Sequence, residues 1–221
     1  ALAGVRKTID APEAACARLE KGIRDMSKKM PQSASAIAEV AEAAGQLGIR
    51  TENILGFTET MVMLGDATNM SSDQAATALA RLANITGMSQ NDFDRLGSTI
   101  VELGNNLATT EAEIVEMGLR LAGTASQVGL TEHEMLALAG AMSSVGINAE
   151  AGGSSMSRVM QKINTEVLSG GKNLSKFAEI SGMSSDEFSK AWKDKPTEAI
   201  TAFINGLNEV NASGGDVTTM L

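Results

Sequence analysis

A chain of 221 residues, 43% apolar and 20% charged, is long enough to bury a sizeable core and too apolar to stay disordered. Its formal charge of −9, with 3% aromatics and no Tyr, argues against direct DNA or RNA binding, which needs a basic surface with stacking platforms. A single cysteine, Cys16, excludes an internal disulfide and a cysteine-based metal cage. The longest uncharged window, Met135 to Ala149, is fifteen residues, short of the roughly 20 that a bilayer-spanning helix needs.

The opening ALAGVRKTID has no initiator Met and no sustained apolar stretch, which reads as an excised piece of a longer chain rather than a secreted protein. Residues 1–31 carry seven Lys or Arg against four Asp or Glu, so the leading segment is basic at +3 and the remainder acidic at −12. Within it, Asp10-Ala11-Pro12-Glu13 supplies an acidic cap with Pro in the first turn, and Pro31 cannot continue a helix. One basic helix of about twenty residues is expected there, ahead of a larger helical domain over 32–221. Ser33 then starts an amphipathic run through Ile37, Val40, Ala41, Ala44 and Leu47 that stops at Gly48.

From that point a junction recurs. The segments Gly87-Met88-Ser89-Gln90-Asn91-Asp92-Phe93, Gly129-Leu130-Thr131-Glu132-His133-Glu134-Met135 and Gly182-Met183-Ser184-Ser185-Asp186-Glu187-Phe188 share five slots. Each gives a glycine stop, an apolar residue, a hydroxyl N-cap, an acid three places on to close a capping box, and an apolar residue to complete a hydrophobic staple. Weaker forms stand at Gly48-Ile49-Arg50 with Ile54, and at Asn69 to Gln74, where Asn69 takes the left-handed position. A further break falls between Gly104 and Thr109.

The stretch from Met135 to Ile163 spells a helical hairpin. Met135, Leu138, Ala139 and Met142 share one face, and Met156, Val159, Met160 and Ile163 another. Between them Gly146 closes the first helix, Ile147 folds back onto its last turn and Asn148 caps the second. Gly152-Gly153 inside a helix costs about 1 kcal/mol per glycine relative to Ala, which close approach of another helix would offset. Leu168 to Asn173 reads as a loop, Pro196 opens a last helix bearing Ile200, Phe203, Ile204 and Leu207, and Asn211 to Gly215 breaks it.

No alternating run asks to be a strand. The fold expected is all-α, an irregular multi-helix bundle of about ten helices of 14 to 18 residues, with an α-solenoid as the other reading because breaks recur about every twenty residues. The positions singled out are structural turns: Gly48, Gly87, Ser89, Gly129, Thr131, Gly146, Asn148, Gly152, Gly182 and Ser184. No catalytic, cofactor-binding or metal-ligating set emerges. His133-Glu134 lacks the second histidine of a zinc-peptidase motif, Gly170-Gly171-Lys172 lacks the rest of a phosphate loop, and the acid pairs Glu39/Glu42 and Glu113/Glu116 stand opposite the apolar stripe.

The central hairpin, with Ala139, Ala141 and Met142, then Val145-Gly146-Ile147, then Glu150-Ala151-Gly152 and Met156-Ser157-Arg158, closely resembles the core region of phage tail tape measure proteins. The resemblance runs from about Ile37 to Gly206 and takes in the opening Lys195-Pro196-Thr197-Glu198-Ala199-Ile200 of the last helix. It implies a structural, non-enzymatic tail protein that lies in the tail tube, sets tail length and leaves ahead of the DNA. It implies tail-assembly chaperones and the tail tube protein as partners, no cofactor, self-association as an open question, and membrane contact only during infection. The implied location is the virion tail, and the host cytoplasm during assembly. A generic helical interaction domain and a membrane-active domain remain the alternatives.

Overall fold

The computed structural model describes residues 2–9 and 11–214, and all of their regular structure is helical. In chain order the helices are α1 (Leu2–Thr8), α2 (Glu13–Met26), α3 (Ala34–Gln46), α4 (Ile54–Ala67), α5 (Ser72–Thr86), α6 (Phe93–Asn106), α7 (Glu111–Gln127), α8 (Glu132–Ser144), α9 (Ala149–Ser169), α10 (Leu174–Ile180), α11 (Ser185–Asp194) and α12 (Pro196–Ala212), with a 3₁₀ turn at Thr51–Asn53 before α4. This is the expected all-α bundle, with helices of 7 to 21 residues.

Local chemistry explains most of the boundaries. Among the described residues positive φ occurs only at glycine, including Gly48, Gly87, Gly129, Gly146 and Gly182. At Gly129 the Leu130 N–H donates to the Ala125 carbonyl at 2.9 Å and the Gly129 N–H to that of Ser126 at 3.1 Å, which satisfies carbonyls left open at the end of α7. Gly48, Gly146 and Gly182 make the same pair of bonds. Complete capping boxes open α5 (Ser71, Gln74), α7 (Thr110, Glu113), α8 (Thr131, Glu134) and α11 (Ser184, Glu187). Asn148 caps α9 by accepting from Glu150 N at 2.9 Å and Ala151 N at 3.3 Å.

Several boundaries differ from the sequence expectation. The leading segment forms two helices, α1 and α2, and α2 ends at Met26, ahead of Pro31; the Asp10 cap lies outside the described residues, as does Gly215 at the far end. Ser89 does not cap a helix. Its hydroxyl accepts from Asn91 N within a turn, α6 starts only at Phe93, and Asp92 closes no box. The cause is Gln90, whose side chain donates to the Gly48 carbonyl and accepts from Arg50 N and Asn53 Nδ2, tying this turn to the loop before α4. Asn69 is not left-handed; its side-chain oxygen accepts from Ala112 N in the first turn of α7. The break expected between Gly104 and Thr109 does fall there, at Leu107, with Gly104 in the last turn of α6. Leu168 and Ser169 belong to α9, so the following loop begins at Gly170.

The packing order was left open by the sequence. Each helix from α1 to α7 packs against the next but one, placing α1, α3, α5, α7 and α9 in one row and α2, α4, α6 and α8 in a second. Helices α8 and α9 are joined by the tight turn at Gly146, yet both pack chiefly on α7 and only marginally on each other, so the expected hairpin is two arms laid on a shared helix. Helix α7 is accordingly buried on two sides, through Ile114, Val115, Met117, Gly118, Leu121, Ala122 and Ala125.

Close contact of α9 with α7 requires Gly152 and Gly153. A Cβ on Gly153 would stand 2.5 Å from Arg120 Cβ, and one on Gly152 3.3 Å from Met117 Cε and 2.2 Å from Ile147 Cγ2, so Ile147 lies over the start of α9. Gly123, on the exposed side of α7, has nothing within 4 Å of the same atom. Opposite signs follow from one substitution. Gly123→Ala should raise stability by about 1 kcal/mol through helix propensity. Gly153→Ala should lower it by about 1–3 kcal/mol, because overpacking outweighs that gain. Urea denaturation midpoints of the two variants check this, and equal stabilisation of both would contradict the close approach.

Candidate functional site

Four glutamates serve helix ends and the loop after α9. The Glu134 carboxylate accepts from the Thr131 N–H at 2.9 Å and hydroxyl at 2.8 Å, while its other oxygen accepts from the Thr197 hydroxyl at 2.8 Å, so one side chain caps α8 and clamps the start of α12 to it. These donors, the Thr131 N–H first, hold its pKa below the ordinary glutamate value. Glu113 and Glu187 are lowered by the backbone N–H groups of Thr110 and Ser184. Glu166 is lowered by the Asn173 side chain, then by the Asn173 N–H, and so fastens the loop after α9.

Every displaced carboxyl is displaced downward and stays ionised, the opposite of what a general acid needs. Among the described residues the only buried polar side chains are Thr58 and Thr124, and no group of three His, Cys, Asp or Glu could hold a metal ion. His133 is half-buried and its Nδ1 shares a 2.7 Å hydrogen bond with the Thr99 hydroxyl of α6, joining two helices of the second row. Cys16 is a buried free thiol. Among the described residues no helix is long and apolar enough to cross a membrane.

What the surface offers is grooves. One runs between α4 and α6 with a volume of about 390 Å³, lined by Glu52, Glu59, Thr60, Met63, Asn91 and Asp94 among others. Its floor carries Phe57 and Phe93, whose rings meet edge to face at 4.7 Å. A second, apolar trough of about 280 Å³ lies where α12 approaches α8, between Ala137, Leu138 and Ala141 on one side and Ile200 and Ile204 on the other. It follows from the broken second row, since α10 does not continue it beyond α8.

The turn residues do not gather into one site. Gly48 and Ser89 meet across the Gln90 bridge, and Gly146, Asn148 and Gly152 share the α8–α9 corner. Gly87, Gly129 and Gly182 each end a helix, and Thr131 and Ser184 each open one. Sequence reasoning missed two positions. Thr110-x-x-Glu113 is a complete capping-box signature that was legible, and Gly206 is needed because a Cβ there would lie 1.6 Å from the Ile180 carbonyl oxygen of α10, a contact with no local signal.

The family model for phage-related minor tail proteins matches residues 20–215. The chain belongs to that family. It is also similar to a probable tape measure protein of Halomonas phage phiHAP-1, 26% identical over 136 residues, which covers 58% of this chain and 16% of that relative. No solved structure matches it. The tape measure resemblance of the central hairpin and the family agree, and the protein is one of the virion tail. The match spans α3 to α12 and includes the second half of α2.

The capping glutamates give this tail protein a defined acid sensitivity. With folded-state pKa values below the ordinary 4.5, the unfolded chain binds more protons in that window, so stability rises with pH there. The contribution is complete above about pH 4.5 and is lost as pH falls through the lowered values. Replacing Glu113, Glu134 and Glu187 together by Gln keeps the caps, as Gln74 does in α5, but removes the titration. Denaturation at pH 6 and below pH 4 should show a smaller acid-induced loss in the triple variant than in the parent; equal losses would contradict this origin.

Proposed function

We propose that this chain is a folded module of a tape measure-type protein, acting in tail assembly and length determination as a compact body on the ruler and not as its extended measuring part. The observation that carries this reading is the division into helices of 7 to 21 residues, wound back on one another in two rows. A continuous helix of 221 residues would reach roughly 330 Å at 1.5 Å per residue, whereas a compact body of that length has a radius of gyration of about 17 Å. The chain covers 16% of the Halomonas phage relative, which leaves ample length elsewhere for an extended ruler in a protein of that kind.

On this reading the tail-assembly chaperones hold the module in the host cytoplasm before the tube forms, the tail tube protein surrounds it afterwards, and it leaves the particle ahead of the DNA. Its surface suits a structural role. Glu113, Glu134 and Glu187 are committed to helix ends, and grooves between helices leave room for other chains.

Electron microscopy of particles carrying an in-frame deletion of residues 32–214 tests the proposal. A compact module predicts either loss of tails or tails shortened by no more than its own diameter, on the order of 40 Å from its expected radius. Shortening by about 1.5 Å for each deleted residue, roughly 270 Å in all, would show instead that this region measures as extended helix. Normal tails at normal yield would remove it from tail assembly.

A further inference from the structure

The chain carries a cationic helix face and an acid-rimmed groove, most of whose charges form no ion pair among the described residues. On α2 the apolar residues Ala15, Cys16, Leu19 and Ile23 are buried, which turns Arg18, Lys21 and Arg24 to the opposite, exposed side, with Lys28 exposed in the turn that follows. Asp25 stands among these cations, pairing with Lys28 at 2.8 Å and also feeling the charge of Lys21, while Arg18, Lys21 and Arg24 form no close ion pair among the described residues and the face stays net positive. In the groove between α4 and α6 the lining holds Glu52, Glu59 and Asp94 and no lysine or arginine. Glu52 is engaged by Arg50 at 3.4 Å, but Glu59 and Asp94 are exposed and form no ion pair among the described residues. Met63, 58% exposed, stands beside them as apolar contact surface.

We propose that copies of this chain associate heterologously, the cationic face of α2 on one copy docking against the acid-rimmed α4–α6 groove of another. The charges are complementary in sign. Because the two surfaces differ, such contacts repeat head to tail, closing into a ring or continuing as a filament according to the rotation between copies. Exposed charges of this kind govern partner choice and encounter rate more than they govern final affinity, so the association is salt-sensitive. Nucleic acid and anionic lipid are the competing occupants of the α2 face, but neither accounts for the groove. The inference does not depend on the tail reading, since it uses only the two surfaces.

Sedimentation velocity on the purified chain tests it with two charge-reversed variants, K21E/R24E and E59K/D94K. All four positions are exposed, so both variants should stay helical, which circular dichroism checks. The parent should form oligomers at low ionic strength that dissociate when the Debye length falls to about 3 Å near 1 M salt. Each variant alone should be monomeric, and an equimolar mixture should recover association, because the α2 face of the second variant fits the intact groove of the first and the two reversed surfaces are again opposite in sign. A parent that stays monomeric at low salt, a single variant that still oligomerises, or a mixture that stays monomeric would overturn the proposal. So would a parent that remains monomeric in solution but co-sediments with phosphatidylserine vesicles through Lys21 and Arg24, which would assign the face to lipid.

Discussion

The structure depends on how closely α9 approaches α7. Gly152 and Gly153 present bare backbone where any larger residue would meet Met117 or Arg120, and the gain in packed surface offsets the helix propensity that two glycines forfeit. Because α8 also lies on α7, this one helix connects the α3–α5 half of the first row with the arms that lead to α10, α11 and α12. With few aromatic residues, the core is filled by Ala, Leu, Ile, Val and Met. Small side chains permit short interaxial distances, and buried methionines such as Met61, Met117, Met135 and Met160 fill the irregular gaps that remain.

Polar chemistry is concentrated at helix ends for the same reason. Twelve α-helices among the described residues expose many orphan N–H and C=O groups, and hydroxyl caps, glutamate boxes and left-handed glycines satisfy them locally. Longer-range polar ties include Gln90 to the Gly48–Asn53 loop, Asn69 to the start of α7, Glu134 to Thr197, and Trp192 Nε1 to Asn164 at 3.1 Å. Each joins a turn or helix end to an element distant in sequence and so fixes the order of packing.

The sequence made the junctions legible because their signals are local. Thr131 with Glu134 and Ser184 with Glu187 lie three residues apart, and a glycine that must be left-handed marks itself. Where a side chain acts across the fold, local reading failed. Ser89 has the same local signature as Thr131, but Gln90 is drawn to a loop forty residues earlier, so the helix starts at Phe93. Asn69 looked like a left-handed stop and instead caps a helix forty-three residues on. The row order was invisible for a related reason. The bodies of the helices share no motif, and which face meets which neighbour is decided by glycines such as Gly153 and Gly206, whose role depends on an element remote in sequence. The grooves likewise form between helices, and no contiguous stretch encodes them.

Native-state amide hydrogen exchange tests the central position of α7 most directly, because protection reports the free energy of opening each helix. Buried on two sides, the amides from Ile114 to Ala125 should open only with global unfolding and exchange more slowly than those of α1, α10 and α12. Exchange in α7 as fast as in those outer helices would contradict a structure organised around it.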